Sequence, residues 1–465
     1  MAVEVSVIAT SSLGDRSYLA SDGRVAVVVD PQRDIDRIMY LAGAKGVRIT
    51  HVVETHIHND YVSGGLELAR VTGAHYLVAT ADEVGFDRVP VSDGDLVAVS
   101  DGVRLRVIGT PGHTFHHLSY VLDEAADGAW QPAGVFTGGS LLFGTTGRTD
   151  LLGKAHAHEL AHHQHASATR LADLLPDGAQ VWPTHGFGSF CSASQADAPD
   201  STIGREKQAN PVLKLAADQF VTETLAGLDA FPAYYAHMGV ANAGPAPVDL
   251  TPATRADAAQ LRDRIAAGEW VVDLRHRKAY GASHLAGTVA LGLDGPMSTW
   301  LGWLIDWGVP ITLLAETPEQ VADAQRELVR IGIDRPAAQA TGAPEQWAAS
   351  PDQLRELRLA DFPALVAARA GSPPAGLPAP DVVLDVRMTN EWRASHLDGA
   401  VHIPLPDLPG RLADVPAGAV WVHCGSGYRA AAAASLLANA GREVVVIDDK
   451  FDQAGAAGLE IVTEA

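Results

Sequence analysis

The stretch AVWVHCGSGYRAAAAASLLANA at residues 419–440 decides the fold of the C-terminal part of this chain. It begins with apolar residues and ends with an alanine-rich run, which predicts a β-strand followed by an α-helix. Cys424 opens the glycine-containing loop between them, at the predicted N-terminus of the helix. Unpaired backbone N–H groups and the helix dipole at that end favour a thiolate over a thiol. We therefore predict that Cys424 is a reactive nucleophile.

The length of the loop restricts the size of the group that it can bind. Four residues separate Cys424 from Arg429, one fewer than in the Cys-x5-Arg loop of cysteine phosphatases, so the loop suits a sulfur atom better than a phosphate. The run resembles the active-site loop of the rhodaneses, sulfurtransferases that carry a persulfide on their cysteine. This resemblance implies that Cys424 and Arg429 are catalytic. It assigns substrate binding to the rest of the loop, namely Gly425, Ser426, Gly427 and Tyr428.

An internal repeat surrounds this loop. The motifs VDLR at 272–275 and SHLAGTV at 283–289 return as LDVR at 384–387 and SHLDGAV at 395–401, each shifted by 112 residues. In both copies predicted strands alternate with helices, which indicates a parallel α/β sheet. The repeated pattern also resembles rhodanese domains. We therefore predict two α/β rhodanese-like domains with parallel sheets, at residues 250–350 and 376–465.

The two copies differ where the chemistry would occur. When the glycines that end the following helices are matched, Ala315 aligns with Cys424 and Gln320 aligns with Arg429. A domain without a thiol cannot hold a covalent sulfur, so we predict that the first copy is an inactive packing or docking module. The segment GSPPAGLPAP at 371–380 is predicted to be a stiff linker between the copies.

Histidines follow the ends of predicted strands in the first 243 residues. The run THIHND places His56, His58 and Asp60 at alternate positions, and two further strands end just before His113 and His185. Several imidazoles brought together at strand ends are what a metal ion requires. Thr-His-x-His-x-Asp followed by Pro-Gly-His-Thr resembles the metallo-β-lactamase fold. That resemblance implies an N-terminal αββα sandwich domain at residues 1–243.

Later motifs indicate which group of metallo-β-lactamase-fold proteins the N-terminal domain resembles most. FTGGSLL at 136–142 and GRTD at 147–150 look most like the persulfide dioxygenases, with the thioesterase glyoxalase II as a more distant relative. In the dioxygenases two histidines and an aspartate hold ferrous iron, and His56 and His113 match the two histidines. His58 is the next candidate, so the predicted metal ligands are His56, His58 and His113. The implied cofactor is Fe(II), with Zn as the alternative.

Two positions depart from the family pattern. Tyr61 stands where dinuclear members carry another histidine, which favours a mononuclear site. Gly139 stands where the family has its metal-binding aspartate. Asp60 or Asp150 is an alternative source of that carboxylate, and weak or absent metal binding is a further alternative.

Composition restricts the partners. The chain of 465 residues carries 34 Lys and Arg against 56 Asp and Glu, a net charge of −22, which disfavours nucleic acid and anionic membranes as partners. It has two cysteines, an apolar run of eighteen residues is absent, and its start does not resemble a secretion signal. We therefore expect a cytoplasmic protein, with homo-oligomerisation left open.

Together these features predict an enzyme of sulfur metabolism. In the favoured interpretation it oxidises a low-molecular-weight persulfide to sulfite at a mononuclear metal site and transfers sulfane sulfur from a thiol persulfide or thiosulfate through Cys424. One alternative is a glyoxalase II-like thioester hydrolase fused to a rhodanese. Another is a metal-free scaffold with only sulfurtransferase or sulfur-carrier activity, which Gly139 favours.

Overall fold

A computed structural model describes residues 3–196 and 198–463 of the chain. These residues form two compact units. The first comprises Met1–Asp249 together with the short segment Val329–Gly332, and the second comprises Leu250–Leu328 and Ile333–Ala465. Within the described ranges, every helix is too short or too polar to cross a bilayer.

The N-terminal unit consists mainly of β-strands, with helices between some of them and after them. The strands are β1 Glu4–Thr10, β2 Asp15–Ser21, β3 Val25–Val29, β4 Arg48–Val53, β5 His75–Ala79, β6 Val89–Val91, β7 Leu96–Ser100, β8 Val103–Gly109, β9 Leu118–Ala126, β10 Ala129–Gly138, β11 Gln180–Pro183 and β12 Ser201–Thr202. The helices are α1 Asp36–Lys45, α2 Gly65–Thr72, α3 Ala157–Leu174, α4 Ile203–Ala209, α5 Pro211–Lys214, α6 Ala217–Gly227 and α7 Tyr235–Asn242.

These strands form two six-stranded mixed sheets that pack face to face. The first has the order β1-β2-β3-β4-β5-β6 and the second the order β12-β11-β10-β9-β8-β7. Alternation along β3 illustrates the layering, because Val27 and Val29 lie in the core between the sheets while Val28 packs on the opposite face. The outer face of the first sheet is covered by α1 and α2, and that of the second by α3 and α6. The predicted αββα sandwich is confirmed.

The second unit contains shorter elements. Its strands are β13 Trp270–Asp273, β14 His284–Leu285, β15 Val289–Ala290, β16 Ile311–Ala315, β17 Ala338–Thr341, β18 Leu354–Arg355, β19 Arg358–Ala360, β20 Val382–Asp385, β21 His396–Leu397, β22 Val401–His402, β23 Val420–His423, β24 Val444–Ile447 and β25 Ile461–Val462. Its helices are α8 Ala258–Ala266, α9 Arg277–Ala282, α10 Met297–Leu304, α11 Pro318–Arg330, α12 Pro344–Trp347, α13 Phe362–Arg369, α14 Thr389–Ala394, α15 Leu408–Arg411 and α16 Tyr428–Asn439. Short 3₁₀ helices cover Pro351–Gln353, Leu405–Asp407, Leu412–Asp414 and Phe451–Gln453.

Two parallel sheets confirm the predicted α/β class of this part. One has the order β15-β13-β16-β17 and the other the order β19-β24-β23-β20-β22, with parallel pairing throughout both. Strand β19 and helix α13 pack into the core of the second sheet, although both precede residue 376. The Pro/Gly segment 371–380 therefore lies within the second copy rather than between the copies. The three predicted domain ranges stay predictions.

Candidate metal centre and reactive cysteine

Three buried histidines of the N-terminal unit come together as a group that could hold a metal ion. One ring nitrogen from each of His56, His113 and His185 lies within 4.8 Å of the others. The Nε2 atoms of all three are buried and have no hydrogen-bond partner. Buried polar atoms are normally paired, so three unpaired nitrogens in one place fit a cation.

Strand ends from both sheets supply these side chains. His56 follows β4 of the first sheet, whereas His113 and His185 follow β8 and β11 of the second. Loops that leave a rigid sandwich at one edge bring together residues that are far apart in sequence.

Each ring is fixed through its other nitrogen. The Nδ1 atom of His56 lies 2.9 Å from the Thr55 hydroxyl, and that hydroxyl donates to Asp30. The Nδ1 of His113 donates to the carbonyl oxygen of Arg148 at 2.7 Å, and that of His185 lies 3.0 Å from Asp15 Oδ1. Such outer contacts orient the ring and leave Nε2 as the ligating atom.

Burial and neighbouring charges set the protonation of the three rings. Burial, together with nearby histidines, lowers the pKa of His56 well below its usual value and lowers that of His113 to about 3. For His185 burial is the largest influence and also acts against the charged form, but the contacts with Asp60 and Asp15 together outweigh it and raise the pKa to about 9. A cation bound at Nε2 of His185 would therefore displace a proton.

His58 has a different environment from the other predicted ligands. Its Nε2 lies 3.0 Å from the Tyr61 hydroxyl and 3.2 Å from Glu54 Oε2. It is grouped with Asp30 and Glu54, or with Asp60 and His185, instead of with His56 and His113. The assignment of His58 as a ligand stays a prediction, and the geometry offers His185 in its place.

Position 139, where the family has its metal-binding aspartate, has no room for a side chain. A Cβ atom on Gly139 would overlap the imidazole ring of His113, so that ring occupies the space into which a side chain would project. Asp150 is held by Arg148 through two hydrogen bonds of 2.7 and 2.8 Å. Asp60 remains close to the histidines, with its Oδ2 3.2 Å from Nδ1 of His185.

In the second unit, Cys424 lies directly after β23 and before α16, as the sequence predicts. Its side chain is buried, at 1% exposure, and its Sγ accepts a hydrogen bond from the Gly427 N–H at 3.2 Å. Gly427 has a φ of 93°, which a residue without a side chain adopts at low cost, so this glycine allows the loop to turn back on the sulfur.

A carboxylate that sequence reasoning did not identify holds Arg429. Two guanidinium nitrogens of Arg429 donate to Glu391, at 2.5 and 2.8 Å. Burial opposes the charge on both groups, but their mutual hydrogen bonds raise the pKa of Arg429 and lower that of Glu391. The guanidinium also lies 5.3 Å from the ring centre of Trp300 in α10.

The remaining residues of the Cys424 loop differ in their contacts and exposure. The Tyr428 hydroxyl donates to the carbonyl oxygen of Gly292 in the first copy, at 2.8 Å, whereas Ser426 is exposed. Gly425 lies beside Arg429, since a Cβ there would be 3.2 Å from a guanidinium nitrogen. Their assignment to substrate binding stays a prediction.

Comparison with known proteins agrees with both halves of this geometry. Residues 374–455 match the rhodanese-like domain family. The mitochondrial persulfide dioxygenase of Homo sapiens is 29% identical to this chain over 219 residues, which cover 47% of this chain and 76% of that protein. The N-terminal half is thus homologous to persulfide dioxygenases, and a rhodanese-like domain lies near the C-terminus. These similarities support an enzyme of sulfur metabolism.

Two further relatives bear on the fold. A hydroxyacylglutathione hydrolase of Synechococcus is 35% identical, but over only 133 residues, which is 27% of this chain and 48% of that protein. The crystal structure of a metallo-β-lactamase from Staphylococcus aureus aligns with a TM-score of 0.64 at 29% identity, covering 74% of this chain and all of that chain. These matches agree with the sandwich fold.

The sheet register supports the predicted alignment of the two copies. Asp273 lies opposite Leu314 in the first sheet, and its repeat equivalent Asp385 lies opposite His423 in the second. The next residue is Ala315 in one copy and Cys424 in the other. The first copy therefore has a methyl group where the second has its thiol.

Gln320, the counterpart of Arg429, closes the loop of the first copy. Its side-chain oxygen accepts hydrogen bonds from the backbone N–H groups of Glu316 and Thr317, at 2.8 and 3.1 Å. With the same alignment, the counterpart of Gly427, whose N–H contacts the sulfur in the second copy, is Pro318, which has no N–H. The first copy therefore has neither the thiol nor an N–H group at the position that contacts the sulfur in the second copy.

Proposed function

We propose that this chain oxidises a low-molecular-weight thiol persulfide to sulfite at a mononuclear metal site and transfers sulfane sulfur through Cys424. The metal would be held by His56, His113 and His185, with Fe(II) as the first candidate and Zn as the alternative. The observation that carries the proposal is the set of three buried, unpaired Nε2 atoms in a unit homologous to persulfide dioxygenases. The predicted cytoplasmic location and the exclusion of nucleic acid and membranes stay predictions.

The residues of the metal centre would hold the metal ion in place and would not react themselves. Thr55, Arg148 and Asp15 fix the three imidazoles through Nδ1, so the Nε2 atoms face one point without rearrangement. A bound ferrous ion would supply the chemistry between persulfide sulfur and dioxygen. Burial of all three ligands keeps bulk water away from that point.

The second reaction would take place at Cys424. Its thiolate attacks the outer sulfur of a thiol persulfide, the S–S bond of the donor breaks, and the donor thiolate leaves with the electron pair. Cys424 then carries the persulfide. The Gly427 N–H, which already contacts Sγ at 3.2 Å, is placed to stabilise the anion.

A hydrolase of glutathione-type thioesters is the second candidate. His58, Asp60 and His185 form a further group suited to a cation, next to the first and sharing His185. Such a second position is what a dinuclear hydrolase would use. Against it, the Tyr61 ring stacks on His58 at 4.3 Å and its hydroxyl bonds to the His58 ring.

Metal analysis combined with two activity assays separates these functions. Bound iron with persulfide-dependent oxygen uptake would support the first proposal. Two zinc ions with thioesterase activity would support the hydrolase, and a metal-free protein that still carries sulfane sulfur on Cys424 would support the scaffold interpretation. A Cys424→Ser variant that keeps full sulfurtransferase activity would refute the role of this thiol.

A further inference from the structure

We propose that Glu391 is a positioning and specificity residue of the Cys424 site, which makes the site select thiol persulfides over thiosulfate. The inference rests on the proposed sulfurtransferase function. Glu391 lies in α14, and its carboxylate forks onto Arg429 with hydrogen bonds of 2.5 and 2.8 Å. Both groups lie beside Gly425, since a Cβ there would be 3.2 Å from Arg429 and 3.7 Å from Glu391 Oε1.

The internal repeat separates the role of this pair from a role in folding. With the offset of 112 residues, Glu391 corresponds to Ala279, and the alignment of the two loops, offset by 109 residues, matches its partner Arg429 with Gln320. Both members of the ion pair are therefore absent from the copy that also lacks the thiol. The fold does not require the pair, because the first copy forms the corresponding four parallel strands without it.

The neighbouring contacts are preserved between the copies, which shows that the loss is selective. Arg275 donates to Asp273 and to the Ser283 carbonyl at 2.6 and 2.8 Å, and the equivalent Arg387 donates to Asp385 and the Ser395 carbonyl at 2.6 and 2.7 Å. The stacking of a ring on the following histidine is kept as well, at 3.9 Å in the first copy and 3.7 Å in the second. Glu391 also accepts a hydrogen bond from the Met388 N–H at 3.0 Å, at the start of α14, which is a contact of the scaffold. Its ion pair with Arg429 is the contact that accompanies the reactive thiol.

The pair determines the charge that a sulfur donor meets. Arg429 alone would give the loop a positive charge suited to a dianion, but the bidentate contact with Glu391 cancels it. The other charges near the loop are also balanced. Asp448 contacts Arg277 at 2.5 Å and Lys278 at 3.7 Å, and Asp294 contacts Arg277 at 2.5 Å and His276 at 3.4 Å. Arg387 is paired with Asp385 at 2.6 Å, and Asp449 and Lys450, next to Phe451 whose N–H donates to the Gly425 carbonyl oxygen, carry opposite charges. These described residues therefore present no surplus positive charge to thiosulfate.

The two donors place different demands on that charge. With a persulfide, the Cys424 thiolate and RSS⁻ give Cys-S-S⁻ and RS⁻, so one donor charge approaches and one leaves. With thiosulfate, the same attack on the outer sulfur gives Cys-S-S⁻ and SO₃²⁻, so the site must accept and release a dianion. A neutral ion pair at the loop favours the monoanion, because repulsion between the thiolate and the donor is smaller.

The test compares both donors in wild-type protein and in three variants of the full chain. Glu391→Gln removes the charge and keeps the shape, Glu391→Asp keeps the charge, and Glu443→Gln removes an exposed carboxylate, paired with Arg358 at 2.6 Å, at the opposite ends of the strands. We expect wild type to prefer the persulfide in kcat/KM. Glu391→Gln should raise kcat/KM for thiosulfate about tenfold, mainly through KM, and change the persulfide value less than about threefold. Glu391→Asp and Glu443→Gln should keep the wild-type ratio.

Several results would overturn the inference. A donor ratio in Glu391→Gln equal to that in Glu443→Gln would refute the role of Glu391. If Glu391→Gln does not fold, a wild-type protein that prefers thiosulfate, or a Glu391→Asp variant with an altered ratio, refutes it instead. Failure of wild type to transfer sulfur from either donor would refute the proposed sulfurtransferase function itself, and this inference with it.

Discussion

Ala315 and Cys424 occupy equivalent positions at the carboxyl ends of two equivalent strands, because Leu314 and His423 are paired with Asp273 and Asp385 in the same register. The two loops nevertheless differ in more than one atom. In the first copy Gln320 accepts the N–H groups of Glu316 and Thr317, whereas in the second the Gly427 N–H points to sulfur.

A thiol alone should therefore not restore the first copy. We expect Ala315→Cys, made in a Cys424→Ser background, to leave sulfur transfer below about 1% of wild type, because the loop amides are occupied and the arginine is missing. Persulfide formation on the new thiol, followed by mass spectrometry, is the measurement. Transfer at a substantial fraction of the wild-type rate would show that the Gln320 contacts do not block the site.

His185 should matter for metal binding as much as His113. We expect His185→Ala and His113→Ala each to weaken iron or zinc binding by at least about tenfold, since each variant lacks one of the three proposed ligands. Calorimetric titration with the metal checks this. His158→Ala is the control, because that residue lies on the surface of α3 away from the cluster. Loss of binding in His58→Ala but not in His185→Ala would instead favour the set His56, His58 and His113.

Gly139 should tolerate no side chain. We expect Gly139→Ala to lower the free energy of unfolding by about 1–3 kcal/mol and to weaken metal binding, because its Cβ would displace the His113 ring. Gly178→Ala is the matched control, since a Cβ at that position meets no atom within 4 Å. Equal unfolding midpoints and metal affinities for the two variants would contradict this geometry.

His423 should make stability depend on pH. Burial lowers its pKa to about 4 although Asp385 acts in the other direction, whereas in the unfolded chain the value is about 6.5. Between these values the unfolded state binds a proton that the folded state does not, so stability is complete above pH 6.5 and falls as the pH drops towards 4. We expect a loss of about 1–2 kcal/mol from this group between pH 7 and 5.

The measurement for His423 is the change in unfolding midpoint between the two pH values. His423→Gln cannot titrate, so it should lose less stability on acidification than wild type, whatever its stability at pH 7. An identical loss in both proteins would assign the pH dependence to other groups.

Sequence reasoning succeeded where short motifs determine local structure. The strand, loop and helix around Cys424 follow from the apolar run, the glycines and the alanines, and the repeat led to the alignment that the sheet register supports. The αββα sandwich was available only through resemblance. Its long-range sheet order does not follow from local periodicity.

Other features depend on contacts between distant segments. Glu391 reaches Arg429 from 38 residues away, and the absence of its counterpart at Ala279 was the only available signal. The position of the 371–380 segment depends on the pairing of β19 with β24, and β19 has only three residues. Whether a histidine faces a metal site also depends on its ring orientation, which for His58 is set by Glu54 and Tyr61.

Oxygen uptake measured against bound iron tests the central proposal most directly. Protein loaded with increasing ferrous iron would be given a thiol persulfide, and sulfite and oxygen would be measured together in wild type, His113→Ala and Cys424→Ser. The proposal predicts uptake that rises with iron to one ion per chain, is lost in His113→Ala and persists in Cys424→Ser. Iron-independent uptake, or full uptake in His113→Ala, would contradict it.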